Sequence, residues 1–268
     1  MRRSRWSRTD LTPVCEAQRQ ASDRAGDASR PTDLLHAHEG KPEGSFLHHL
    51  NLRSADTWHQ LLQTGLRSRT FARDELLPMG PGNPYVYIVL EGVVRQDRYP
   101  LGTGAGMPAV TRFRGAGQLV GEAALIEPGS CVDTRCLTNT VVIACAARYL
   151  SALIERRLYD ARLALLRSLE DRNRTDEVVY GMAIRPPLER VSRLLAHLAD
   201  TAGVPDPRTS RHAVITGPGQ KDIAAALQLA VSTTENALRT LRHHGVIEAR
   251  YRQFVVRDVD SLRHFVGA

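Results

Sequence analysis

Residues 215–256 change their hydrophobic period several times over a short span, and that succession leaves few folds open. Residues 220–227 place Ile223, Ala224 and Leu227 on one side of a short helix. Gln228-Leu229-Ala230 is long enough only for a tight connection. Ser232-Thr233-Thr234-Glu235 has the S-x-x-E form of a capping box, with the serine hydroxyl expected at the helix start and the glutamate reaching back. Ala237, Leu238 and Leu241 bury one face of this second helix, and Gly245 is expected to end it in a left-handed conformation. Residues 246–250 and 253–256 then read as two strands around Tyr251-Arg252. Helix, three-residue turn, capped helix and hairpin make a winged helix-turn-helix.

The outer face of the capped helix is expected to present Thr233, Thr234, Asn236 and Arg239, with Ser232 at its start. These are short hydrogen-bonding groups and one cation. Asn takes adenine through two hydrogen bonds, Arg takes guanine, and Thr meets a thymine methyl. Lys221, Arg242, Arg250 and Arg252 flank the helix where phosphates would run. A winged helix used for protein contacts remains the alternative.

Upstream the chain divides by composition. Residues 1–44 have few large aliphatics and no sustained period, so they read as a disordered tail. Residues 45–149 open with a short helix around Trp58, Leu61 and Leu62. They continue as short β-rich runs with Gly/Pro turns, Tyr85–Glu91 the clearest, as in a small β-sandwich or barrel. Gly102-x-Gly104-x-Gly106 lacks the spacing and the following helix of a dinucleotide fingerprint, so it reads as a hairpin loop. From Leu150 the period is helical: Ile154, Leu158, Ala161, Leu165 and Leu169 form a narrow stripe through the 150–185 segment. Such a stripe packs either on its own sandwich or on a copy of itself, and pairing is the expectation. Residues 186–268 begin with Pro186-Pro187 and a helix carrying Val191, Leu194, Leu195 and Leu198. The fold class is therefore α+β.

Charge says less than it first promises. The 268 residues carry 36 basic and 29 acidic side chains, net +7, but only +3 of this falls within 186–268. That excess fits nucleic-acid binding and fits equally an arginine-rich solvated surface. The longest apolar runs are far short of a bilayer span of about 20 residues. The arginines near the start have no apolar segment behind them, as a secretory signal would. A cytoplasmic protein without membrane attachment is the expectation.

The order of sandwich, long helix and winged helix-turn-helix resembles the cyclic-AMP receptor and fumarate–nitrate regulator (Crp/Fnr) family of bacterial transcription factors, over about residues 45–268. Gln220-Lys221-Asp222-Ile223-Ala224, Leu238-Arg239-Thr240-Leu241 and Gly245-Val246-Ile247 look like its DNA-binding signature. Tyr87-Ile88-Val89-Leu90-Glu91-Gly92 and Leu119-Val120-Gly121-Glu122-Ala123-Ala124-Leu125 look like its cyclic-nucleotide-binding jelly roll. The resemblance implies a transcriptional regulator that pairs as a homodimer through residues about 150–180. Each subunit would insert residues 232–244 into the major groove of double-stranded DNA, with RNA polymerase as a further partner.

The chain departs from that family at both ends of its machinery. Cyclic-AMP-binding members follow Gly-Glu, about eleven residues on, with Arg-Ser for the cyclic phosphate. Here Gly121, Glu122 and Ala123 are followed by Val132-Asp133. Valine neutralises nothing and the aspartate repels a phosphate. Arg135 comes at an odd offset that points it to the other strand face. An effector pocket around these six residues is thus expected not to bind cyclic AMP in the usual way, and no cofactor is expected. The reading helix starts Val231-Ser232 where many members have Arg-Glu, so the operator should differ.

Other chemistry has little to stand on. Cys15, Cys131, Cys136 and Cys145 are not clustered as an iron–sulfur centre requires. Cys131 and Cys136 are either ordinary thiols or a redox pair, ordinary thiols being the expectation. His48-His49 and His243-His244 are adjacent residues that share no face, so no metal site is expected. No nucleophile motif and no P-loop occur, so no catalytic residue is proposed and the chain is not read as an enzyme.

Overall fold

The computed structural model describes residues 46–49, 67–79, 83, 85–99, 108–126, 132–155, 159–180 and 184–265. The expected tail, the helix around Trp58, the 101–106 loop, Cys15 and Cys131 lie outside the described residues.

A short α1 (Phe46–His49) precedes β1 (Arg67–Phe71), β2 (Tyr85–Glu91), β3 (Val94–Arg98), β4 (Val110–Arg114), β5 (Leu119–Val120), β6 (Asp133–Cys136) and β7 (Thr140–Ala146). They pair antiparallel as two sheets, β1-β7-β2-β5 and β4-β3-β6. Strand β2 shows why the run of β-formers is continuous rather than alternating. Tyr87 and Val89 join Phe71, Leu77, Val94, Cys136 and Val142 in one core. Val86, Ile88 and Leu90 face the other way, into a second core with Leu119, Ile143 and Cys145. A period-two strand buried on both faces must be apolar throughout. Gly92 ends it with φ 91°, where a Cβ would stand 2.7 Å from the Asn139 carbonyl oxygen. Cys136 and Cys145 are free and buried, and burial first of all pushes each thiol up to about 11, as in ordinary core thiols.

The helical segment is α2 (Ala147–Glu155) and α3 (Tyr159–Tyr180). Leu150 and Ala164 are buried against the second core, with Ile154 and Leu165 packed on it. Part of the stripe expected at a subunit seam is therefore used within the chain itself, because the apolar outer face of the β2–β7 sheet needs a cover. Leu158 lies outside the described residues. Leu166 stays 53% exposed.

The C-terminal part runs α4 (Pro187–Ala202), β8 (Val204–Asp206), β9 (Thr209–Thr216), α5 (Gln220–Leu227), α6 (Val231–His243), β10 (Ile247–Arg250), β11 (Gln253–Val256) and α7 (Val259–Arg263). Its sheet has the order β10-β11-β9-β8, so the expected hairpin is half of a four-stranded sheet. Strands β8 and β9 were not foreseen from the sequence. Val191, Leu194, Leu195 and Leu198 of α4 form the core with Ile223, Leu227, Leu238, Leu241 and Phe254. The same core contains Val93, Phe113 and Leu137 of the jelly roll, so the two parts are packed into one body.

Candidate nucleic-acid interface

Helix α5 starts at Gly219, whose N–H donates to Asp222 Oδ2 at 2.8 Å. It ends at Gln228 in a left-handed conformation, φ 52°. Gln228–Ala230 then turns the chain into α6.

Helix α6 does not begin as the S-x-x-E pattern suggests. Its N-cap is Ala230, extended at ψ 145°, without a side-chain cap. Ser232 is thus the second residue of the helix and is exposed. Thr234 is fully buried, and its N–H and hydroxyl both donate to the Ala230 carbonyl, at 3.0 and 3.2 Å. Thr234 therefore leaves the expected base-reading set: it fastens the helix entrance. Glu235, freed from capping, is exposed and pairs with Arg239 at 3.4 Å. The Glu–Arg spacing of four residues was the sequence signal for this pair.

Ala237, Leu238 and Leu241 anchor the inner face. Outward, Ser232, Asn236, Arg239 and His243 fall at i, i+4, i+7 and i+11, with Thr233 half-buried beside them. Arg239 Nη1 donates to Asn236 Oδ1 at 3.1 Å, so the two polar side chains are held side by side. Val231, 44% exposed, and Glu235 widen the surface. An exposed valine can meet a thymine methyl and a carboxylate can accept from a cytosine amino group; the sequence reading had assigned neither. The helix ends at Gly245, φ 69°, whose notional Cβ meets nothing nearer than Arg257 Nη1 at 3.8 Å; backbone conformation alone selects glycine there.

In the wing, Arg252 takes φ 55° itself, which explains how the turn dispenses with glycine. Tyr251 is exposed and carries the Arg252 guanidinium 5.4 Å from its ring centroid. Lys221, Arg242 and Arg252 are exposed with no carboxylate partner among the described residues. Arg250 differs: it is bound to Glu248 at 2.9 Å and to the buried Asp206 at 3.0 Å. Those bonds raise its pKa, Glu248 first.

The six residues expected at an effector pocket do not converge. Arg135 lies on the outer face of β6 and donates to the Asp74 carbonyl at 2.9 Å. Asp133 shares that outward parity, and Val132 is half-buried at the strand entrance. Gly121 precedes a 3-10 turn, Glu122–Leu125, in which Glu122 and Ala123 are half-buried. Only Glu122 reaches a cleft, of about 280 Å³, between β3, β4 and α3. The sequence reading missed the arginines of that cleft. Arg172 of α3 holds Glu122 at 2.6 Å, and Arg114 grips Asp176 through two bonds of 3.0 and 2.8 Å. Arg112 lies 4.1 Å over the Tyr180 ring. Among the described residues no cluster of His, Cys, Asp and Glu could hold a metal ion.

The two regions touch. Arg95 of β3 meets Asp222 of α5 at 2.6 Å, and Gln228 Nε2 donates to the Ala109 carbonyl at 2.8 Å.

Residues 189–265 match the Crp-like helix-turn-helix domain. Among solved structures the chain is similar to a CRP-family transcriptional regulator from Thermus thermophilus, at 25% identity and TM-score 0.58, covering 72% of this chain and 93% of that one. It is similar to FixK2 from Bradyrhizobium japonicum at 22% identity and TM-score 0.56, covering 76% and 98%. A putative cyclic nucleotide binding protein from Ruegeria pomeroyi DSS-3 shares the fold at 18% identity and TM-score 0.61, covering 85% and 96%. No curated protein matches by sequence.

Proposed function

We propose that this chain, a Crp/Fnr-family regulator by its helix-turn-helix domain and its fold, binds DNA sequence-specifically as a homodimer. The observation that carries the reading is the outward stripe of α6, Ser232, Asn236, Arg239 and His243, on a helix whose opposite face is locked into the core. Asn236 and Arg239 read base edges, while Lys221, Arg242 and Arg252 take phosphates. Arg250 positions the wing instead. Pairing through α3, where Leu166 is exposed, sets two reading helices about 34 Å apart, so the operator is a palindrome with half-sites one helical turn apart. Such a dimer works in the cytoplasm, with RNA polymerase as its further partner. The effector domain does not take cyclic AMP in the usual way, since Val132 and the outward Arg135 leave the expected phosphate position without a cation.

Genome-wide mapping of bound sites identifies the operator, and gel shifts at two salt concentrations then test the reading. Binding should weaken steeply with salt, as counterions are released. Asn236→Ala with Arg239→Ala should lose the specific complex while light scattering still reports a dimer. An unchanged footprint in that double variant refutes the assigned helix. Micromolar binding of cyclic AMP by calorimetry overturns the effector statement.

A further inference from the structure

We propose that Glu235 is a specificity-determining residue of α6, its carboxylate accepting from the amino group of a cytosine one base step from the guanine that Arg239 takes. The inference rests on the assignment of α6 as the reading helix and names the base pairs that helix selects.

Glu235 is the only acidic residue between Asp222 and Glu248, and it stands on the helix assigned to DNA. A carboxylate there weakens contact with every phosphate, whatever the base sequence. An ion pair between residues four apart on a helix is ordinary, and steadying the helix would be reason enough for Glu235 if the pair were closed. It is open. The Glu235 and Arg239 side chains are 47% and 63% exposed, and Glu235 Oε1 meets Arg239 Nη2 at 3.4 Å. The other Glu235 oxygen has no partner among the described residues.

Arg239 also donates from Nη1 to Asn236 Oδ1 at 3.1 Å, so the guanidinium is held between two neighbours. A guanidinium whose charge is offset by Glu235 is a poor phosphate clamp, but its remaining N–H groups still form a fork for guanine O6 and N7. The 3.4 Å from that guanidinium to the Glu235 oxygen equals the rise between successive bases, about 3.4 Å, so Glu235 faces the adjoining pair. In the major groove guanine and thymine present acceptors at O6 and O4, which repel a carboxylate. Cytosine offers its N4 amino group. Adenine offers an amino group too, but with the N7 acceptor beside it, which opposes a group that only accepts. A carboxylate closed into the groove without a donor is costly, so Glu235 selects by exclusion as well as by attraction.

Selection of bound sites from randomised duplexes, on the full chain, is run with the wild type, Glu235→Ala and Glu235→Gln, both exposed changes that leave packing intact. The wild type should return two adjacent G·C pairs in each half-site. Glu235→Ala should keep the guanine and lose the preference at the adjoining pair. Glu235→Gln should move that preference to adenine, which glutamine takes through two bonds. In fluorescence anisotropy, exchanging that cytosine for thymine should weaken the wild type at least about tenfold and Glu235→Ala no more than about twofold. Glu235→Ala should also bind unrelated duplex several-fold more tightly, with one acid fewer near the phosphates. Variants that return the wild-type base at every position overturn the proposal and leave the reading helix standing, as does a wild-type motif without adjacent G·C pairs. Preference lost evenly across the half-site in Glu235→Ala overturns it too, since Glu235 would then only support Arg239. A wild type that selects no motif overturns the reading of α6 itself, and this proposal with it.

Discussion

Removing the Arg95–Asp222 contact measures how firmly the jelly roll holds the helix-turn-helix domain. Arg95 projects from β3 and Asp222 from the first turn of α5, and their side chains are 17% and 23% exposed at 2.6 Å. Burial lowers the Arg95 pKa, but its bonds to Asp97 and Asp222 outweigh this and raise it. Two unit charges near a protein surface attract by about 4 kcal/mol at 4 Å. Desolvation of two mostly buried groups cancels much of that. A net coupling of about 1–2 kcal/mol is therefore expected, above the ~0.2–1 kcal/mol of an exposed pair. Asp222 has a second task, since its other oxygen takes the Gly219 N–H at the start of α5. Asp222→Ala should thus cost about 1 kcal/mol more than the pair alone, the usual loss of an N-terminal cap. Arg95→Ala keeps that cap but leaves Asp97 with one partner fewer. Urea unfolding of the wild type, both single variants and the double variant closes the cycle. A coupling below about 0.3 kcal/mol refutes the idea that this pair joins the domains. So does a coupling that vanishes in moderate salt, since a mostly buried pair is screened only weakly.

Other perturbations separate stability from reading. His197 has its pKa pressed down to about 4 from 6.5, by burial and then by Arg114, so the unfolded chain takes the proton first. Its stability contribution is complete above pH 6.5 and is lost as pH falls toward 4, by about 3 kcal/mol at most; melting scans across that window should flatten in His197→Gln, and an unchanged slope refutes the shift. Gly245→Ala meets open space but a positive φ, so urea titration should show a loss of about 1 kcal/mol. Arg252→Gly relieves the left-handed turn and should raise stability by several tenths of a kcal/mol. Gel shifts should nevertheless show weaker DNA binding, with the log–log salt slope reduced by about one.

What could be read from the sequence depended on whether a feature is local. The α5–turn–α6–hairpin succession is local: its apolar spacing, the short connection and Gly245 each act within a few residues, and their positions agree with the elements. The cap is local too, but the pattern was ambiguous. A serine three residues before a glutamate marks a helix start only if the backbone is extended at the serine, and here it is extended at Ala230. Thr234 was misplaced for a different reason: it lies three, four and seven residues before Ala237, Leu238 and Leu241, and so shares their inner face wherever the helix begins. The cleft was out of reach for another reason. Arg98, Arg114, Glu122 and Arg172 come from four separate elements, and no spacing rule gathers them. Strand β8 was hidden by the turn residues Gly203, Pro205 and Pro207, which read as punctuation although an edge strand accommodates proline.

Strand β4 shows how the two domains are bound into one body. Its even residues, Val110, Arg112 and Arg114, line the cleft, while Phe113 on its other face is buried in the core of the helix-turn-helix domain. Period-two geometry makes this unavoidable, since neighbouring side chains on a strand must point to opposite faces. Swinging the helix-turn-helix domain away from the jelly roll as a rigid unit would expose Phe113, Val93 and Leu137 together and break the Arg95–Asp222 pair. Exposing one such phenylalanine alone costs about 1.5–3 kcal/mol. Small shifts of β4 that keep Phe113 buried are therefore far cheaper than domain opening. Arg112 and Arg114 stand on that strand, and Asp176 and Tyr180, which they contact, stand near the end of α3. The charged face of β4 is thus tied to the long helix and its apolar face to the helix-turn-helix domain, so neither contact can be altered without straining the other.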